Sequence, residues 1–255
     1  MEFAISYVFC FFFFIATNLW NHSNDAEDDA RDGRGNSVFL LENRRKATFL
    51  VLLFYTISAL MLPLTKDALA GLLFFICLIF TWVYSDKILI GKKIRRLKED
   101  YRTEILTYLI VTPSFALLIW TFFSQIDTLG FSFAMIVSSL YISGVLLKDI
   151  KDYSVDSLAG YRTLAVVASP LTLFILSFSV FFVAISLVLV LSILRVIPRT
   201  LVLTTIILIP LTYSILSIRK AKWEISLKTI KNIKLYTLCY PTIILLMGIL
   251  SLFEV

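Results

Sequence analysis

Long apolar blocks alternate with shorter polar connections along the whole chain. The eight blocks lie at residues 3–20, 47–65, 68–84, 104–124, 129–147, 168–191, 200–216 and 235–253. A helix of about 20 apolar residues crosses the ~30 Å hydrocarbon core of a bilayer. The strands of a membrane barrel alternate apolar and polar residues, and these blocks do not. The pattern therefore predicts an all-α fold, a polytopic transmembrane helical bundle of about eight helices that forms a single domain over residues 1–255.

The composition agrees with a membrane protein. Of the 255 residues, 59% are hydrophobic and 16% are charged, whereas about a quarter of a soluble chain is charged. The first block carries Glu2, no basic residue and no small-residue cleavage pattern, so we expect a retained helix rather than a secretion signal. We expect an integral protein of a cell membrane or an organelle's inner membrane, with the lipid bilayer and no nucleic acid among its partners.

Basic residues are distributed unevenly between the connections. The connections at 21–46, 85–103, 148–167 and 217–234 hold 21 of the 24 Lys and Arg residues. The alternate connections hold only Lys66, Arg195 and Arg199. Because cytoplasmic loops of membrane proteins are enriched in Lys and Arg, this asymmetry predicts that the four basic connections face the cytoplasm and that both termini face the opposite side.

Two acidic clusters lie on the predicted cytoplasmic side, each directly after an apolar block. The segments NDAEDDARD and DIKDYSVD share the pattern D-x-x-D-x-x-x-D, at Asp25, Asp28 and Asp32 and at Asp149, Asp152 and Asp156. On a helix, residues three and four apart share a face, so the carboxylates repel one another unless a cation lies between them. Mg²⁺ prefers oxygen ligands and often binds carboxylates together with phosphate groups. The clusters therefore predict a Mg²⁺-diphosphate site at the membrane surface.

Other metal sites fit the sequence less well. An EF-hand calcium loop that begins at Asp28 would need a carboxylate at its twelfth position, which is Phe39. His22 is the only histidine, which excludes a site built from several histidines.

With these two motifs, the chain resembles the UbiA superfamily of intramembrane prenyltransferases. The first family signature, N-x-x-x-D-x-x-x-D, is matched at Asn24, Asp28 and Asp32. The second signature, DxxDxxxD followed by G-x-[RK]-T-L, is matched by DIKDYSVDSLAGYRTL, residues 149–164.

The resemblance implies a role for each matched residue. Asn24, Asp28 and Asp32 would bind one Mg²⁺ ion, and Asp152 and Asp156 would bind another, with the four aspartates acting in catalysis. Asp25 and Asp149 would support them. The diphosphate would be bound by Tyr84, Lys87, Lys148 and Arg162, with Lys92 and Lys93 as substitutes for Lys87.

The chain departs from the family pattern in three places. One further helix usually precedes the helix that leads into the first motif, whereas only Phe3 to Trp20 precede the motif here. We expect either a naturally short variant that lacks the usual first helix, or a protein whose true start lies further upstream. The segment ISGVLLKD lacks the arginine and glutamate that often precede the second motif. The segment YRTEILTYLIVTPSF lacks the usual glycine-asparagine pair. The first departure concerns part of the cavity wall, and the other two concern recognition of the acceptor.

The expected function is Mg²⁺-dependent transfer of a prenyl group from an isoprenoid diphosphate to a lipophilic acceptor, at a site that faces the cytoplasm. The acceptor would be a quinone precursor or another aromatic or lipid molecule. A terpene cyclase that uses the same metal site is the nearest alternative. A divalent-cation carrier is disfavoured, because the apolar blocks contain Asp and Glu only at their ends, whereas transporters place ionisable residues near the middle of the membrane.

Overall fold

A computed structural model describes residues 1–31, 35–88, 95–147, 150, 157–158, 160–224 and 227–253. The α-helices are α1 (Glu2–Arg31), α2 (Gly35–Glu42), α3 (Arg44–Leu60), α4 (Ala70–Ser85), α5 (Tyr101–Trp120), α6 (Thr128–Val145), α7 (Leu164–Val167), α8 (Pro170–Ile193), α9 (Leu208–Lys220) and α10 (Leu227–Ser251). Short 3₁₀ helices cover Leu62–Leu64 and Leu97–Glu99, and a longer one, Arg199–Ile207, leads directly into α9.

The predicted all-helical membrane architecture is confirmed, and a helix lies in each of the eight apolar blocks. Among the described residues, seven helical segments are long and apolar enough to cross a membrane. The third block forms α4, which has 16 residues and a length of about 24 Å at 1.5 Å per residue. The first helix differs from the apolar pattern, because it continues beyond the end of its block at residue 20 to Arg31. The first acidic motif therefore lies on a helix as far as the structure describes it.

The chain divides into two compact units, Met1–Gly130 and Phe131–Val255. The first unit has an aromatic core in which α1 packs against α3, α4 and α5. The Phe13 ring lies 5.5 Å from the ring of Tyr55 on α3, 6.0 Å from Phe74 on α4 and 5.0 Å from Phe115 on α5. Because lipid tails are as apolar as these rings, close packing of the rings, and not their removal from water, fixes α1 against its three neighbours.

A tryptophan pair fixes the C-terminal half of α1 against α4. The rings of Trp20 and Trp82 stack with their centroids 4.0 Å apart. The indole nitrogen of Trp20 also donates a hydrogen bond to the Trp82 carbonyl over 3.0 Å. Trp20 is fully buried, and the first acidic motif begins four residues later. The pair therefore fixes the position of α1 along its axis, and its rotation about that axis, relative to α4.

The connections at the opposite end of this unit are joined by Lys66 and Asp67. The Lys66 ammonium group contacts the Glu2 carboxylate over 2.6 Å and the Phe123 carbonyl over 2.8 Å. The Asp67 carboxylate accepts hydrogen bonds from the backbone N–H groups of Ile126 and Leu69. These backbone donors lower the pKa of Asp67, with Ile126 contributing most, because they stabilise the charged carboxylate.

The second unit contains a buried cluster of hydroxyl groups between α6, α8 and α10. Ser143 donates to the Ser177 carbonyl, and Ser177 donates to the Ser143 carbonyl, each over 2.6 Å. The hydroxyl oxygens of Tyr236 and Tyr240 lie 3.0 and 3.4 Å from the Ser177 hydroxyl. Because polar groups inside a membrane protein need partners, this cluster fixes the contacts among the three helices.

Candidate active site

Two parallel rows of amide and carboxylate side chains lie on the last turns of α1. Asn21 and Asp25 form one row, and Asn24 and Asp28 form the other, each with the four-residue spacing that places side chains on one face of a helix. Neighbouring elements hold the amides: Ser85 donates to the Asn21 oxygen over 2.7 Å. The Asn24 oxygen accepts the backbone N–H of Lys87 over 2.7 Å, while its nitrogen donates to the Trp20 carbonyl over 2.8 Å.

The row of Asn21 and Asp25 is occupied by cations from the segment that precedes α5. The Lys98 ammonium group contacts both Asp25 oxygens at 2.6 Å and the Asn21 oxygen at 2.9 Å. An ammonium group has three N–H donors, and these contacts use all of them. The Arg96 guanidinium donates to Asp25 over 2.7 Å and to Glu99, and its side chain is only 2% exposed.

The row of Asn24 and Asp28 is contacted by a different cation, and Asp28 is its accessible member, because Asn24 is fully buried. The Lys87 ammonium group lies 3.0 and 3.1 Å from the two Asp28 oxygens and 3.8 Å from Glu27. Arg96 lies 3.6 Å from Asp28, beyond hydrogen-bond distance. The side chains of Lys87 and Asp28 are both about one-third exposed, at 33% and 32%. Asp28 is therefore more accessible to a ligand than Asp25.

Comparison with known proteins identifies the family to which this arrangement belongs. The sequence model of the UbiA prenyltransferase family matches residues 2–237. The chain belongs to the UbiA prenyltransferase family. An uncharacterized protein of Archaeoglobus fulgidus is 45% identical over 241 residues, which cover 94% of this chain and 83% of the relative. No solved structure matches the chain.

Three residues expected to act in this UbiA-family protein lie together in the first unit. Asn24 and Asp28 share a helix face. The Lys87 backbone N–H donates to Asn24, and the Lys87 ammonium group contacts Asp28. Asp25, expected to have a supporting role, lies on the neighbouring row with Arg96 and Lys98.

The remaining predicted site residues lie away from this row or are not among the residues that the structure describes. The Tyr84 hydroxyl faces α5, where it contacts Glu104 and Tyr108. Arg162 is an exposed residue of the second unit. It follows Gly160, whose φ of +72° is in the left-handed region that favours glycine. The other predicted site residues and their substitutes lie outside the described residues: Asp32, Lys92, Lys93, Lys148, Asp149, Asp152 and Asp156.

The second unit also has a cavity next to the residues that follow the second motif. Its volume is about 350 Å³, and its lining includes Ile150, the segment 165–170 and Leu173. Its lining side chains are apolar except for Ser169, while polar atoms, including backbone groups, form nearly half of the lining surface.

The row of Asn24 and Asp28 contains oxygen atoms of the kind that Mg²⁺ prefers. Asp28 supplies a partly exposed carboxylate, and a cationic group already lies against both of its oxygens. The Asn24 amide oxygen is buried and accepts the Lys87 backbone N–H. Within the described part of the chain, no group of three or more His, Cys, Asp or Glu residues is placed to hold a metal. The described residues therefore fit one part of a metal site that would be completed by other ligands.

Sequence analysis did not identify Arg96, Lys98, Asn21 and Glu104. The basic run at 92–98 indicated a cytoplasmic connection, but it did not show which of its cations would contact Asp25. Arg96 and Lys98 are 71 and 73 residues from Asp25 in sequence, so no local pattern connects them to it. The repeated N-x-x-x-D spacing at Asn21 and Asp25 was a usable signal for the second row of polar residues.

Proposed function

We propose that this protein catalyses the Mg²⁺-dependent transfer of a prenyl group from an isoprenoid diphosphate to a lipophilic acceptor within the membrane. The observation that carries the proposal is the partly exposed Asp28 carboxylate, one turn after Asn24 and with Lys87 beside it, at the end of an apolar helix. Membership of a prenyltransferase family supports the same reaction class. We also propose that the site faces the cytoplasm, as the distribution of basic residues predicts.

The position of the charged groups suits a substrate with one polar and one apolar end. The diphosphate group can remain at the aqueous edge, where Lys87 is about one-third exposed. The isoprenoid chain can lie among the apolar helices, because its transfer from water gains about 0.8 kcal/mol for each buried CH₂ group. A membrane-embedded site therefore binds both ends without placing charge in the hydrocarbon core.

The reaction requires stabilisation of the negative charge that develops on the departing diphosphate. When bound, Mg²⁺ would supply Lewis-acid stabilisation of that charge. Asn24 and Asp28 would hold the ion, and Lys87 would place a further positive charge beside the diphosphate. The assignment of Asp32, Asp152 and Asp156 to metal binding, and of Lys148 and Arg162 to the diphosphate, rests on the motif match. Apolar helices around the isoprenoid chain would exclude water, which would otherwise capture the allylic cation.

Product analysis with and without magnesium tests this proposal. The protein in lipid nanodiscs would receive geranylgeranyl diphosphate with either 4-hydroxybenzoate or a glycerophosphate lipid that has a free hydroxyl, and mass spectrometry would identify products. We expect Asp28→Asn to lower the transfer rate about 10²–10³-fold, because electrostatic stabilisation of the leaving group is lost. Glu42→Gln changes an exposed carboxylate on α2 and should have no effect.

Three results would contradict the proposal in different ways. Equal product with EDTA in place of Mg²⁺ would exclude metal dependence. A cyclic hydrocarbon formed without any acceptor would indicate a terpene cyclase. Mg²⁺ flux into proteoliposomes that Asp28→Asn abolishes, in a protein that forms no prenylated product, would indicate a cation carrier.

A further inference from the structure

The connection at 217–234 has the largest net positive charge of the four basic connections. It holds six Lys and Arg residues and a single acidic residue, Glu224. In the connections at 21–46 and 148–167 the acidic residues offset the basic ones, at 6 against 5 and 3 against 3. The connection at 85–103 has 7 basic and 3 acidic residues, and several of its cations contact the first acidic motif. The connection at 217–234 therefore has five positive charges that its own acidic residues do not balance.

On α9, one of these cations lies at the end of a lipid-facing stripe. Tyr213, Leu216 and Lys220 are all exposed, and their spacing of three and four residues places them on one face of the helix. The opposite face contains the buried residues Leu211 and Ile218. Because α9 ends a segment that is apolar and long enough to cross a membrane, its exposed apolar side chains face lipid. Lys220 therefore ends a surface that lipid chains contact.

The start of α10 repeats this arrangement. Lys231, Lys234, Leu238 and Leu245 are exposed, and their spacing again places them on one helix face. The fully buried Tyr236 lies on the opposite side of the helix. A second lipid-facing stripe therefore ends in two lysines. Since α9 packs against α10 and a short connection joins them, all three lysines lie at the same end of this helix pair.

The turn after α9 is tied to α8 by Trp223. Lys222 and Trp223 have φ angles of +53° and +62°, in the left-handed region that residues other than glycine rarely adopt. The Trp223 backbone N–H donates to the Ile218 carbonyl over 3.3 Å, and its ring lies 5.6 Å from the ring of Phe174 on α8. Tryptophan is enriched where a membrane meets water. Trp223 therefore places this corner of the second unit at the level of the lipid headgroups.

We infer that this corner binds the phosphate group of an anionic membrane lipid through Lys220, Lys231 and Lys234, which are called the lysine corner below. The long stem of a lysine lies along apolar surface while its ammonium group reaches the polar headgroups, and ammonium groups bind phosphate well. The two apolar stripes provide a surface for the acyl chains. A soluble phosphate would gain nothing from those stripes, so the occupant is a lipid. This binding does not depend on the proposed prenyl transfer.

The expected strength follows from the number of cations. Each Lys or Arg near an anionic membrane surface strengthens binding about fivefold. Three lysines that act together therefore strengthen it about a hundredfold. Substitution by glutamine removes the charge of a lysine and retains most of its length, so it isolates this electrostatic contribution.

Native mass spectrometry of the protein in a neutral detergent tests the inference. Phosphatidylglycerol and phosphatidylcholine with identical acyl chains would be titrated separately, and the dissociation constant of the first bound lipid would be compared. We expect the unchanged protein to prefer phosphatidylglycerol. Lys220→Gln should weaken phosphatidylglycerol binding about fivefold, and the variant with all three lysines changed to glutamine about a hundredfold. Phosphatidylcholine binding should change little, because this lipid has no net charge.

Two controls separate a lipid site from a general effect of charge. Arg95→Gln removes one positive charge from an exposed residue of the first unit, and it should leave phosphatidylglycerol binding unchanged. Excess glycerol phosphate, which has the anionic group without acyl chains, should not displace the lipid. The melting temperature in phosphatidylcholine nanodiscs should be the same for all variants, because only exposed side chains are changed. Phosphatidylglycerol nanodiscs should raise it for the unchanged protein more than for the triple variant, since a ligand of the folded state stabilises that state.

Three outcomes would overturn the inference. Normal phosphatidylglycerol binding by the triple variant would show that the lysine corner does not hold the lipid. An equal loss for Arg95→Gln and Lys220→Gln would show that only the total charge of the protein matters. Displacement of phosphatidylglycerol by glycerol phosphate would indicate a site for soluble anions.

Discussion

Replacing Arg96 with methionine should destabilise the protein strongly, although Arg96 belongs to no predicted site. Its guanidinium group is 2% exposed and donates hydrogen bonds to Asp25 and Glu99. Methionine retains most of the apolar volume but removes the charge and both hydrogen bonds. The substitution therefore tests whether this buried arginine fixes the segment before α5 onto the motif helix.

The expected magnitude follows from the contacts that are lost. A hydrogen bond to a charged group contributes about 1.5–3 kcal/mol, and breaking a buried ion pair costs about 3–5 kcal/mol. Asp25 keeps Lys98 as a partner at 2.6 Å, so it is not left without a cation. Glu99 is 18% exposed and can be partly hydrated. We therefore expect a loss of about 3 kcal/mol in the free energy of unfolding, at the lower end of the range for buried pairs.

The neighbouring residue supplies the control. Arg95 is exposed, and Arg95→Met should change the free energy of unfolding by about 0.5 kcal/mol or less, as surface substitutions usually do. Reversible SDS titration of the protein in bicelles, followed by tryptophan fluorescence, would measure both variants. Arg96→Lys should fall between them, because lysine keeps the charge but not the planar fork of donors. Equal stability of Arg96→Met and Arg95→Met would refute the reasoning.

Three further substitutions test the packing and electrostatics of the scaffold. Gly144→Ala places a Cβ 3.0 Å from the Tyr240 ring and should cost about 1–3 kcal/mol in the same SDS titration; an unchanged midpoint would contradict this packing. Ser177→Ala removes a hydroxyl from the buried cluster and should cost about 1 kcal/mol, whereas a stabilised variant would show that the cluster is strained. The pKa of Asp67 is lowered in the folded protein, so its charged form stabilises the fold at pH values above 3.8, the ordinary pKa of the group. This stabilisation is lost as the pH falls through the lower, folded-state pKa. Melting temperatures from about pH 3 to about pH 6 should therefore fall less steeply with acid for Asp67→Asn than for the unchanged protein, and identical slopes would exclude the contribution.

The helical scaffold was predictable because its signal is long and repeated. Each apolar block extends over several helical turns, so small errors at the ends do not change the number or type of element. The path of α1 beyond residue 20 was harder to predict, since Asn24 and Asp25 interrupt the apolar pattern. Helix continuation there depends on tertiary contacts, such as the hydrogen bond from the Lys87 backbone to Asn24.

The candidate site was predictable only in part, for a physical reason. Spacing along one helix determines which residues share a face, so the grouping of Asn24 with Asp28 followed from the sequence. The choice of cation for each carboxylate depends on contacts between segments 59 to 73 residues apart. Glu104 gave no distinct signal, because it stands at the edge of an apolar block, where charged residues are common. The assignments to Asp32, Asp152 and Asp156 stay predictions.

The charge balance around the first motif favours joint binding of the proposed metal and the proposed diphosphate over binding of the metal alone. Next to the motif, the described ion pairs join four carboxylates to four cations. These residues are Asp25, Glu27, Asp28 and Glu99 with Arg44, Lys87, Arg96 and Lys98. A divalent ion that entered alone would meet Lys87 at close range, and each pair of like unit charges 4 Å apart costs about 4 kcal/mol at an effective dielectric constant of 20. A diphosphate carries more negative charge than one such ion neutralises, so it offsets that repulsion and gives Lys87 a new partner.

Lys87 can exchange partners because it is one-third exposed, whereas Arg96 is buried and Lys98 has all three of its donors in use. The helix therefore separates two roles within one acidic motif: Asp25 anchors the basic segment, and Asp28 is accessible to the proposed donor.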